Sequence, residues 1–149
     1  MRKNLLLFTG STLILFITGF YLYDSFLELV LPTSNNMRVA HGSLIGIFKH
    51  QLYFSVIIGL LPIAFYLVWK FANIITLKKK ILSATIVLMA IVFAIIINQY
   101  LILRVSSYMV SDKIQNIILF ENMRYSEFMF AGLVIGSVIS WFIFWKPKD

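Results

Sequence analysis

Four long apolar stretches without a charged side chain divide this chain: residues 5–23, 51–69, 81–103 and 128–145. The first has nineteen residues. As a helix it would reach about 28 Å, close to the ~30 Å hydrocarbon thickness of a bilayer. The others are of similar length or longer, and runs this long read as spanning helices rather than as buried strands. The pattern predicts an all-α integral membrane protein. Its four transmembrane helices form an antiparallel bundle in a single membrane domain covering residues 1–149.

The flanks refine this reading. Residues 24–31 continue the first helical pattern, with Asp24 and Glu28 four apart on one face, until Pro32 and the polar run 33–36 end it. Arg2 and Lys3 ahead of an apolar run also resemble the start of a signal peptide. No small-x-small cleavage site follows, so a retained helix is expected. Residues 37–50 hold Arg38, His41, Lys49 and His50 around an apolar stretch too short to span; a short interfacial helix is expected there, in preference to a shallow re-entrant turn or an outward extension of the second helix. Pro62 lies inside the second span, where the missing amide donor predicts a kink near residues 58–62. Residues 71–80 form a short basic hinge ending in Lys78, Lys79 and Lys80, which makes the second and third spans a helical hairpin. In the connection 104–127, Val110, Ile114, Ile117 and Ile118 recur at helical spacing opposite polar residues. That spacing predicts a second interfacial helix.

Composition agrees. The chain is 60% hydrophobic and 13% charged, with a mean hydropathy of +0.91. A soluble domain is about 45–50% apolar and about 25% charged, so the excess needs lipid as its solvent. The net charge of +7 is distributed by position. With both termini cytoplasmic, eight bases (Arg2, Lys3, Lys70, Lys78, Lys79, Lys80, Lys146, Lys148) and one acid (Asp149) lie inside. Five bases and five acids then lie outside. The excess of Lys and Arg on one side predicts a multi-pass inner-membrane protein with both ends in the cytoplasm. The same placement at span ends points to lipid headgroups rather than nucleic acid. There are no cysteines, which excludes thiol redox chemistry and cysteine-ligated metal centres.

Candidate chemistry is sparse. No ionisable side chain falls inside a core span, so the usual marker of an ion-coupled transporter is missing from the pattern. No nucleophile, carboxylate dyad or metal-ligating motif is present, and no catalytic residue or metal site is expected. Polar groups gather in the two outer connections: Asp24, Glu28, Arg104, Glu121, Arg124 and Glu127. Arg38, His41 and His50 are weak candidates for a cofactor or headgroup site. Nine residues separate the two histidines, about 13 Å along a helix, so one straight helix cannot clamp a haem between them. No cofactor is expected unless a haem or quinone binds there. Two small-residue faces, Ser55 with Gly59 and Gly132 with Gly136 and Ser140, allow close helix approach.

These features favour a non-catalytic accessory or scaffolding subunit, partnered by lipid, other membrane proteins or its own copies. One alternative is a membrane electron-transfer subunit. Another is a lipid- or polyisoprenoid-handling protein using the outer connections.

Overall fold

The computed structural model describes residues 2–30, 37–40, 44–108, 116–119 and 124–145. In chain order these form α1 (Arg2–Val30), β1 (Met37–Ala40), α2 (Leu44–Phe71), α3 (Leu77–Tyr108), β2 (Asn116–Leu119) and α4 (Tyr125–Phe144). Each helix contains a segment long and apolar enough to cross a membrane: Leu6–Val30, Leu44–Phe71, Leu77–Arg104 and all of α4. Large apolar side chains such as Ile14, Ile17, Met89, Phe93, Ile135 and Phe142 lie exposed on the outside of the helices. Water would not tolerate that surface, and lipid does. The chain is a multi-pass membrane protein.

The helices pack as two hairpins. In the first, Phe8 of α1 meets Tyr66 and Trp69 of α2, Phe16 meets Gly59, Gly19 meets Ser55, and Tyr23 meets Phe54. Rising numbers on α1 meet falling numbers on α2. In the second hairpin Ser83 meets Ser140, Val87 meets Gly136, and Ile91 meets Gly132. The hairpins join along α2 and α4, around a core of Tyr23, Leu27, Val30, Phe54, Ile57, Val87, Ile91, Tyr125, Met129 and Leu133. A smaller cluster of Val68, Ala72 and Ile74, covered by Trp69, Trp141 and Phe144, closes the opposite end. We call the two ends the sheet end and the lysine end.

The turn at the lysine end is shorter than the basic hinge of the sequence reading. Helix α2 continues to Phe71, and Lys78, Lys79 and Lys80 already belong to the first turn of α3. Asn73 stops α2 in the left-handed conformation, with φ 53°. The amide of Ile74 donates to the Trp69 carbonyl at 2.9 Å, and that of Asn73 to Lys70 at 3.4 Å. These are the paired bonds of a Schellman stop, and Ile74 packs beside Trp69 as that motif requires. The Lys80 ammonium sits 5.4 Å from the centre of the Trp69 ring, placing a cation on an aromatic face.

Two expectations at the sheet end are corrected. Residues 37–50 are not an interfacial helix: Met37–Ala40 is a strand, and the residues from Leu44 onward are the opening turns of α2. The amphipathic helix expected around Val110, Ile114, Ile117 and Ile118 gives way, at its described part, to the strand Asn116–Leu119. Residues 109–115 lie outside the described residues. The strands pair in parallel, Met37 with Asn116 through Ala40 with Leu119. Each strand links a helix ending at this end of the bundle to one starting there, so both run the same way. The crossover that parallel pairing requires is made by α2, the lysine-end turn and α3 together. β-Branched Val39, Ile117 and Ile118 suit the extended backbone. Helix α2 runs without interruption through Pro62, which is buried.

Candidate functional site

Side-chain donors lock the sheet end together. The Val30 carbonyl closes α1 and has no acceptor role within its own helix. It receives the Gln99 amide from α3 at 2.9 Å and the Tyr125 hydroxyl from α4 at 3.0 Å. Gln51 of α2 donates to the Phe20 carbonyl of α1 at 3.0 Å. Helices α3 and α4 are thus tied to the end of α1, and α2 to its Phe20 ten residues earlier, by bonds worth about 1 kcal/mol each. Tyr125 was not picked out in the sequence. It falls inside the connection 104–127, and nothing local says that its hydroxyl reaches back 95 positions.

His50 sits half-buried at this end, beside Tyr23, Phe26, Leu27, Phe54, Tyr125, Ser126 and Met129. Together they enclose a cavity of about 10 Å³. That is room for about one water molecule and not for a porphyrin or quinone ring. The Tyr23 hydroxyl is buried there and finds no partner among the described residues. Arg38 stands in β1 opposite Ile117, while its side chain and all of His41 lie outside the described residues. Among the described residues no group of three or more metal-ligating side chains occurs.

The small residues found in the sequence lie inside the hairpins. A Cβ added at Gly132 would come within 2.8 Å of the Ala90 carbonyl and of the Ile91 Cα. One at Gly136 would come within 2.8 Å of the Ala90 Cβ and 2.9 Å of the Val87 Cα. Ser140 and Ser83 share a buried hydrogen bond of 2.7 Å. On the first hairpin, Gly59 faces Thr12 and Phe16, and Ser55 faces Gly19 while its hydroxyl donates to the Gln51 carbonyl at 2.8 Å. Both close-approach faces are filled by helices of this chain.

The outer polar residues are dispersed. Asp24 and Glu28 are exposed on α1, and Arg104 is exposed on α3. Arg124 and Glu127 pair at 3.9 Å with both side chains more than two-thirds exposed, an arrangement worth little in stability. Glu121 lies outside the described residues.

A further concave feature among the described residues is the seam between α2 and α4. Three cavities follow one another along it. The first, about 340 Å³, is lined by Tyr53, Val56, Leu60, Glu127 and Phe130 at the sheet end. The second, about 290 Å³, begins at Leu60 and Leu133 and runs to Val68 and Val138. The third, about 270 Å³, shares Leu67, Val68, Ser137 and Val138 with it and ends at Phe71 and Trp141. Shared walls make them one apolar groove. Its length follows α4 from Ser126 to Trp141, about 22 Å at the helical rise. The Ser137 hydroxyl, beneath the second and third cavities, has no hydrogen-bond partner among the described residues. At the sheet-end mouth the Lys49 ammonium lies 5.7 Å from the Tyr53 ring centre, and Arg124 lies against Glu127. Spacing along one chain does not reveal this groove, because it lies between helices that are not neighbours in sequence.

Comparison with protein families, characterised proteins and solved structures gives no match to this chain.

Proposed function

We propose that this protein acts by binding rather than by catalysis, as a lipid- or polyisoprenoid-handling protein of the inner membrane, with the α2–α4 seam as its working surface. The carrying observation is the groove itself: about 22 Å long by the helical rise, apolar along its length, with cations beside one mouth. Bilayer ligands are held by long apolar contact with a few polar groups at one end, and the seam has that form. Both termini and the lysine end face the cytoplasm in this reading, because dense Lys and Arg clusters resist translocation. The four spans then form an up-down bundle with the sheet end outside. Lipid mass spectrometry after gentle detergent extraction tests the function. Enrichment of one lipid class over the bulk membrane supports it, and recovery of bulk lipid alone removes it.

A second reading, an accessory or scaffolding subunit, draws on the sheet. Among the described residues β1 and β2 pair only with each other, so each keeps one open edge on which a partner strand can add. The small-residue faces that first favoured this role are occupied internally. Affinity purification in mild detergent tests it, and a protein recovered with no stoichiometric partner removes it. The electron-transfer reading gains nothing from the cavity at His50, which holds no space for a ring.

A further inference from the structure

We infer that the seam holds one long-chain isoprenoid phosphate, its chain lying along α2 and α4 and its phosphate at the mouth between Lys49 and Arg124. The inference rests on the lipid-handling reading above and narrows it to one ligand class and one place.

Length argues first. The hydrocarbon core is about 30 Å thick, so the tails of an ordinary phospholipid fill about 15 Å before meeting the opposite leaflet. The three cavities succeed one another over about 22 Å of α4, from Ser126 to Trp141, the first two meeting at Leu60 and the last two at Leu67, Val68, Ser137 and Val138. A single occupant of the whole groove must cross the midplane. A long isoprenoid chain does so, and a leaflet phospholipid stops short. Shape argues next. The seam is open along one side and lined by the branched side chains of Leu60, Leu67 and Val138, which suits a branched flexible chain entering sideways from the bilayer. The aromatic side chains of Phe71 and Trp141 line the far end.

Charge argues last. Tyr53 and Glu127 line the mouth. Lys49 stands over Tyr53, and Arg124 stands beside Glu127. The three ionic groups sum to one positive charge, complementary to a phosphate monoester at the headgroup level. Arg124 can turn its planar donor fork from the exposed carboxylate to phosphate oxygens at little cost, because the existing pair is loose at 3.9 Å.

The test places a photoreactive amino acid at Val134 in the seam or at Phe93 on the lipid-facing side of α3, in the full chain in native membranes. The membranes are supplemented with a long-chain polyprenyl phosphate, the corresponding polyprenol, or phosphatidylglycerol. The expected result is capture of the polyprenyl phosphate at Val134, at least about tenfold above phosphatidylglycerol at equal supply. Phe93 captures only bulk phospholipid. Replacing Lys49 and Arg124 with Gln removes the preference for the phosphate over the polyprenol while leaving thermal melting unchanged. Equal capture of both lipids at Val134, or capture of a protein there, overturns the inference. Polyprenyl phosphate enriched at Phe93 and not at Val134 overturns the place while leaving lipid handling intact. No enrichment at either position overturns both.

Discussion

Substituting Gly136 and Gly10 with the same residue separates packing from everything else a glycine replacement does. Both lie on apolar helices, and both gain helix propensity, up to about 1 kcal/mol, when a side chain is added. Their surroundings differ. A Cβ at Gly10 meets nothing within 4 Å, whereas one at Gly136 meets the Ala90 Cβ at 2.8 Å and the Val87 Cα at 2.9 Å. Neither neighbour is the loose end of a side chain, so α4 must move away from α3. Restoring ordinary carbon contact of about 3.8 Å needs a shift of about 1 Å. The same shift stretches the Ser83 to Ser140 bond, now 2.7 Å, past hydrogen-bonding range. Overpacking of this kind costs about 1–3 kcal/mol. Gly136→Ala should therefore be less stable than Gly10→Ala by about 2 kcal/mol, roughly thirtyfold in the unfolding equilibrium. Gly136→Leu should be worse still. Reversible unfolding in mixed micelles, followed by circular dichroism, measures the difference. Agreement of the two alanine variants within about 0.5 kcal/mol would refute the reasoning, because that is how indifferent surface positions behave.

Other expectations can be checked in the same assay. Tyr125→Phe should cost about 1 kcal/mol by releasing the Val30 carbonyl from one of its two donors. Adding Gln99→Leu should cost more than the sum of the single changes, since the carbonyl then loses both; simple additivity would show that the donors act apart. A double-mutant cycle on Ser83→Ala and Ser140→Ala should give a coupling of about 0.6 kcal/mol, the average for hydrogen bonds between membrane helices, and a coupling of zero would deny the bond a role. Asn73→Gly should leave thermal melting unchanged or raise it. Asn73→Val should lower stability by about 1–2 kcal/mol, because a β-branched residue resists the left-handed backbone that stops α2. Equal melting of the two variants would mean that the stop is unimportant.

The spans were legible because charge and hydrophobicity separate sharply along this chain: Lys70 and Lys78 bracket the turn, and no base interrupts residues 81–103. Gly132, Gly136 and Ser140 were legible as a close-approach face, since a four-residue repeat of small side chains marks one side of a helix. Which helix fills that face was not, because the repeat describes a space and not its occupant. The strands left almost no local signal. Four residues, Met37–Ala40, pair with four others 79 positions away, and only folding of α2 and α3 brings them together. Helical spacing misled at Ile117 and Ile118 for the same reason: a pattern of few residues is weak against long-range pairing. The Val30 carbonyl, accepting from α3 and α4 at once, lies beyond any reading of neighbours.

The placing of the seam's charged mouth depends on which side of the membrane carries the sheet end. The chain has no cysteine, so single cysteines can be introduced without background. Glu28→Cys lies on the exposed surface of α1 near the sheet end, and Lys79→Cys lies on the exposed first turn of α3 at the lysine end. Intact cells treated with a membrane-impermeant maleimide should label Glu28→Cys at once and Lys79→Cys only after permeabilisation. Labelling of Lys79→Cys in intact cells, with Glu28→Cys protected, would invert the molecule and contradict this account.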